Sequence, residues 1–99
     1  MTPFERFKKL NTEGNLWIYI LLLAREEEVN TQDITRLIFE RFGFLPGELF
    51  LRGVLFRLRN KGYISSERFK GRRAYKTTKK GLEELEKVKF FCKEMTEKI

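Results

Sequence analysis

Between Arg52 and Lys80 the chain carries eleven basic residues, Arg52, Arg57, Arg59, Lys61, Arg68, Lys70, Arg72, Arg73, Lys76, Lys79 and Lys80, against one acid, Glu67. The remainder holds ten basic and thirteen acidic residues, so the overall charge of +7 comes from this one stretch. Such side chains hold anions without making or breaking bonds. A surplus this localised is a directed field, and a polyphosphate backbone is the partner that matches it. Arg and Asn can also make paired hydrogen bonds to base edges, Arg to guanine and Asn to adenine. Arg52, Gly53, Arg57, Arg59 and Asn60 are therefore candidates for groove or phosphate contact from a helix. Arg52 and Gly53 are expected to enter the groove, whereas Arg57 and Arg59 suit phosphate equally well. Arg68, Lys70, Arg72 and Arg73 are candidates for contact from a hairpin, where charge also protects an exposed sheet edge.

Other chemistries find little support. Cys92 is the only cysteine and there is no histidine, which excludes intramolecular disulfides, Cys/His zinc sites, nucleophile–histidine dyads and histidine acid–base catalysis. The acidic runs Glu26 to Glu28 and Glu83 to Glu86 sit in helix-like stretches and read as solvated faces. Gly43 and Gly47 flank Phe44-Leu45-Pro46 with no phosphate-loop Lys-Ser/Thr after them. No enzyme, metal or cofactor is expected. The longest apolar run, Leu16 to Ala24, spans nine residues, well under the roughly 20 that cross a bilayer. Met1 to Lys9 lacks the apolar segment of a secretory signal, so a cytoplasmic location is expected.

The elements that must position the basic side chains follow from spacing. Ninety-nine residues with 41% hydrophobic content and ten Phe suit one small folded domain. Thr2-Pro3-Phe4-Glu5 reads as a capping box with proline at the first helical position, opening a helix on which Phe4, Phe7 and Leu10 repeat. Leu16 to Arg25 is apolar nearly all round and reads as a central core helix. Val29 is expected in a brief strand, followed by a helix capped by Asn30 or Thr31, with Ile34, Leu37, Ile38 and Phe42 on one face and Gly43 as its stop.

The next helix spans about Gly47 to Lys61. Leu51, Val54, Leu55 and Leu58 form its core side, and Leu49, Arg52, Gly53, Phe56, Arg57, Arg59 and Asn60 its remaining arc. Phe56 is left open between solvent exposure and cover for a neighbouring helix. Gly62 ends this helix, and two strand-like runs, 63–68 and 72–77, flank a three-residue loop, Phe69-Lys70-Gly71. Thr78 can cap a last helix to about Ile99, on which Leu85, Val88, Cys92, Met95 and Ile99 recur at three- and four-residue spacing. That seam either joins two copies or folds back on Phe4, Phe7 and Leu10. Dimerisation is favoured, because the core is small and two-fold symmetry supplies a second half-site. Cys92 on this seam reads as a small apolar residue.

Helix, helix, short strand, helix, helix, hairpin is the order of a winged helix-turn-helix. The expected fold class is mainly α with a small β-hairpin: a DNA-binding domain over 1–80 and a dimerisation helix over 81–99. Leu16-Trp17-Ile18-Tyr19-Ile20-Leu21, Leu55-Phe56-Arg57-Leu58 leading into Gly62-Tyr63-Ile64, and Gly71 to Gly81 resemble the PadR-like transcriptional regulators. Within the last segment, Tyr75, Thr77 and Gly81 follow a pattern found across many winged-helix regulators. The resemblance implies a homodimeric regulator of double-stranded DNA, a repressor by expectation, with the final helix joining the subunits. Trp17 reads as simple core; in the family, aromatic residues of the first helix can line an effector cavity at the dimer interface, so the resemblance leaves a ligand role for Trp17 open as the alternative. The chain departs from the family pattern in having Thr31-Gln32 where a Gly-Tyr pair is usual, and Arg52 where a Tyr is usual. The competing expectation is a winged-helix module that binds an acidic protein.

Overall fold

A computed structural model describes residues 1–69 and 71–99. Helix α1 (Pro3–Leu10) is followed by a 3-10 turn (Glu13–Asn15) and helix α2 (Leu16–Leu23). Strand β1 (Val29–Asn30), helix α3 (Thr31–Phe42) and helix α4 (Glu48–Asn60) come next, then strands β2 (Ile64–Phe69) and β3 (Arg72–Thr77) and the long helix α5 (Lys79–Glu97). The three strands form an antiparallel sheet in the order β1-β3-β2, so β3 is central. No helix among the described residues is long and apolar enough to cross a membrane.

Most helix ends lie where the sequence puts them, but α2 stops at Leu23, short of Arg25, and Asn30 stands at the start of α3 without a side-chain cap hydrogen bond. The Thr2 hydroxyl accepts from the Glu5 amide at 3.1 Å, and the Glu5 carboxylate accepts in return from the Thr2 amide at 3.4 Å. Gly43 closes α3 at φ 81°. Helix α4 ends in a Schellman arrangement: the Tyr63 amide donates to the Leu58 carbonyl and the Gly62 amide to that of Arg59, with Gly62 at φ 81°. The hairpin is tighter than expected. Phe69 pairs with Arg72, so β2 runs one residue further than expected while β3 keeps its expected bounds; the connection is one residue shorter, and Gly71 takes φ 76° to reverse the chain. Lys70 lies outside the described residues.

The core is built around α2, whose Leu16, Ile20, Leu21 and Leu23 are buried. Ile34 and Ile38 of α3, Leu51, Val54, Leu55 and Leu58 of α4, and Ile64 and Tyr75 of the sheet close over it. Each such side chain fully withdrawn from water contributes about 1.5–3 kcal/mol. Tyr19 continues this packing on the far side, its ring edge-on to Phe42 at 4.8 Å and Phe44 at 5.0 Å. Its hydroxyl donates to the Asn11 carbonyl, and burial pushes the phenol pKa up, so it keeps that proton.

One joint fixes the wing to the helical body. The Thr77 amide donates to the Ala24 carbonyl at 2.9 Å, and its buried hydroxyl to the Leu21 carbonyl at 2.8 Å. Those carbonyls at the C-terminal end of α2 lack an intrahelical partner, so β3 caps α2. Thr78 then accepts from the Gly81 amide at 3.2 Å and donates to the Gly62 carbonyl at 2.6 Å. A Cβ on Gly81 would run into the Tyr63 carbonyl oxygen and come within 2.7 Å of the Thr77 methyl. The Tyr75, Thr77 and Gly81 pattern is therefore structural: it seats the wing and α5 against α2.

Two helices remain largely outside this core. No residue of α1 is buried, and Phe4, Phe7 and Leu10 are exposed. In α5 only Gly81 is buried, with Leu85 packed against the core and Val88 half-buried. From there the seam runs clear of the body through Cys92, Met95 and Ile99, which are exposed.

Candidate nucleic-acid interface

Helix α4 is amphipathic, so burying Leu51, Val54, Leu55 and Leu58 determines what the opposite arc presents. Leu49, Gly53, Phe56 and Asn60, spaced by four, three and four residues, form the outermost stripe. Arg52 and Arg59 flank that stripe on the side of the sheet. Arg57 flanks it on the other, lining a groove with Trp17 and Lys61. The five candidate residues of this helix thus share one arc but do not make one cluster.

On the sheet side, Arg52, Phe56 and Arg59 line a cleft of about 170 Å³ with Thr31 and Arg73. The Thr31 hydroxyl donates to the Arg73 carbonyl at 3.2 Å, which ties β3 to the start of α3. This brings α3, α4 and the wing together at one surface. The Arg59 guanidinium lies 5.9 Å from the Phe56 ring centre, within cation–π range.

Strand alternation divides the wing. Tyr75 and Thr77 are buried, so Arg73, at the same parity, belongs to the sheet face that looks toward the helices. Arg68 pairs directly with Arg73 across the strands and shares that face. Like charges placed directly opposite are unfavourable in the free protein, and an anion set between them would relieve this. Arg72 lies on the other face of the wing, away from the cleft.

Not every cation in the basic stretch is free. Arg52 is paired with Glu48 at 2.7 Å one helical turn earlier. The Lys80 ammonium donates to the Lys61 carbonyl at 2.7 Å and sits 4.7 Å above the Tyr63 ring, so it caps the C-terminal end of α4. On α3, Arg36 is held between Asp33 at 3.3 Å and Glu40 at 3.2 Å. The raw charge count over 52–80 therefore overstates what the surface offers. Sequence reasoning did not single out Glu48; its place four residues before Arg52 was the available signal.

Trp17 is half-buried and lines a groove of about 380 Å³ among α2, α4 and α5, together with Leu16, Phe50, Arg57, Tyr63 and Glu84. The dimerisation set is split. Leu85 packs against the core and Val88 is half-buried, while Cys92, Met95 and Ile99 lie exposed further along, with Phe91 beside them.

A tri-helical core with its last helix exposed beside a two-stranded wing defines the winged helix-turn-helix class. No family model and no curated protein matches the sequence. Among solved structures, a PadR-like transcription factor from Bacteroides fragilis is similar, at 28% identity over 94% of each chain with a TM-score of 0.77. A transcriptional regulator from Clostridium thermocellum matches at 27% identity, covering 86% of this chain and 85% of that one, with a TM-score of 0.69. Bacillus subtilis PadR, solved with operator DNA, matches at 26% identity and a TM-score of 0.67, over 75% of this chain and 46% of its own length. The chain has a PadR-like winged-helix fold.

Proposed function

We propose that this chain is a PadR-like transcription regulator that binds double-stranded DNA as a homodimer and represses by occupying the promoter. The observation that carries this is the convergence of Arg52, Arg59 and Arg73 at one cleft beside the exposed arc of α4. Residues 1–80 supply the DNA-binding part, with α4 in the major groove and the wing along the backbone. Residues 81–99 supply the dimer contact. The face shared by Arg68 and Arg73, together with Arg59, holds phosphates; Arg72 adds charge on the outer side of the wing, and Lys70 contributes a further positive charge in the sequence between the two strands. The groove beside Trp17 touches α4 and α5 together, which suits a small-molecule effector that would alter their relation.

The counterion atmosphere gives a direct test. With about four phosphate contacts per subunit, a dimer should show a slope of log K against log salt near −7. Titrating fluorescent duplex DNA across a salt series reads this slope. A slope near zero, or no retardation of any duplex at low salt while an acidic protein is bound, would replace this reading with the protein-binding one.

The Glu48 carboxylate restrains Arg52 and repels phosphate. In Glu48→Gln, Arg52 is released to reach the backbone, so affinity for unrelated duplex should rise. The slope should steepen by up to about 2 per dimer, one added contact for each subunit. Unchanged non-specific binding would mean that Arg52 is not near the backbone.

A further inference from the structure

Leu49 is 84% exposed and Phe56 56% exposed, on the outermost line of a helix whose other exposed side chains are mostly charged. Neither serves the core, and both lie between two sets of cations: Arg52 and Arg59 on one side, Arg57 on the other. Gly53 stands between them on the same line. A Cβ there would meet nothing closer than the Arg57 guanidinium at 4.0 Å, so the subunit itself does not require glycine at this point. An interior glycine costs a helix about 0.8–1 kcal/mol relative to alanine. Its use here fits a close approach from outside.

An apolar line bordered by guanidinium groups is complementary to a surface that is apolar at its centre and anionic at both margins. The major groove of DNA has this form where thymine is present. Phosphates run along its two rims, and the thymine 5-methyl is the one apolar group on its floor. We propose that Leu49 and Phe56 set the sequence preference by seating thymine 5-methyl groups on either side of Gly53, with Arg52, Arg57 and Arg59 directed to the flanking phosphates. This rests on the DNA-binding reading and assigns it a chemistry: the half-site is chosen through thymine methyls more than through guanine contacts by Arg52.

The test begins with sequences selected by the purified protein from a random duplex pool. Each thymine of the selected site is then replaced by deoxyuridine, which removes the 5-methyl and leaves the pairing edge intact. At one or two positions per half-site the affinity should fall about fourfold, the loss of burying one methyl-sized group, and about fifteenfold when both half-sites are changed. In Phe56→Ala the thymine-to-uracil difference should shrink toward unity at the position that Phe56 contacts; in Arg52→Ala it should persist. Strong binding with no sensitivity to deoxyuridine anywhere, or selection of half-sites without thymine, would overturn the inference and leave DNA binding standing. So would self-association or capture of a protein that Phe56→Ala abolishes, which would assign the stripe to a protein partner. Failure to bind any duplex would remove the DNA-binding reading itself.

Discussion

Gly81→Ala should lower stability by at least about 2 kcal/mol, read as a fall in Tm of at least roughly 8 to 16 °C. The added methyl meets the Tyr63 carbonyl oxygen and the Thr77 methyl, and the Leu21 side chain lies 3.2 Å away. A flexible side chain could swing aside, but a backbone carbonyl cannot. The Tyr63 carbonyl accepts from the Thr78 amide at 3.1 Å, so moving it disturbs the cap that starts α5. The damage reaches the wing, because Thr77 closes the C-terminal end of α2 through two hydrogen bonds. Gly53→Ala is the matched control. Its new methyl has open space, so the gain in helix propensity should raise stability by up to about 1 kcal/mol. Thermal unfolding of both variants checks the pair. A shift of the same sign and size in each would show that the close approach at Gly81 does not constrain the fold.

These two glycines also show what could be read before the structure. Gly43, Gly62 and Gly71 follow runs that patterning had already defined, and each has positive φ. Gly81 was visible only as part of the Tyr75, Thr77 and Gly81 pattern. Its reason, contact with a carbonyl eighteen residues earlier, is tertiary and leaves no local trace. The same distinction applies at the surface. Helical spacing is enough to put Arg52 and Asn60 on the solvent side of α4, because the hydrophobic positions fix how that helix is turned, whereas the exposure of Phe56 had to be seen. It does not say which charges are already paired. The four-residue spacing of Glu48 and Arg52 was a signal that went unused, whereas the seating of Lys80 on the Lys61 carbonyl appears only when distances are known. Strand alternation alone separates Arg73 from Arg72, but placing Arg68 beside Arg73 needed the register, and that depended on the length of the turn. In α5 the heptad spacing was legible while its division of labour was not. One face begins in the core at Gly81 and Leu85 and continues into the exposed residues Cys92, Met95 and Ile99.

That continuity makes the last helix the place for a second large effect. Phe91→Glu combined with Met95→Glu should make the protein monomeric at micromolar concentration while it remains folded. Phe91 is 65% exposed and Met95 39% exposed, and both lie beyond the point where α5 leaves the core, so one subunit loses little packing of its own. Two charges placed on that seam would face their symmetry mates in a dimer, where burying unpaired carboxylates is prohibitive. Leu85→Glu should behave differently and unfold the subunit, since Leu85 packs against the core from within. The consequence for DNA is larger than the lost protein contact. When two half-sites are bound by linked subunits, the second association is effectively intramolecular, and separating them should weaken binding by about 10² to 10⁴. The salt slope gives an independent reading, because a monomer releases half as many counterions and should fall from about −7 to about −3.5. A variant that loses affinity with an unchanged slope has kept its dimer. Sedimentation then decides the matter: a wild-type monomer at micromolar concentration would mean that α5 joins no second copy, and that Phe91, Met95 and Ile99 are exposed for some other partner.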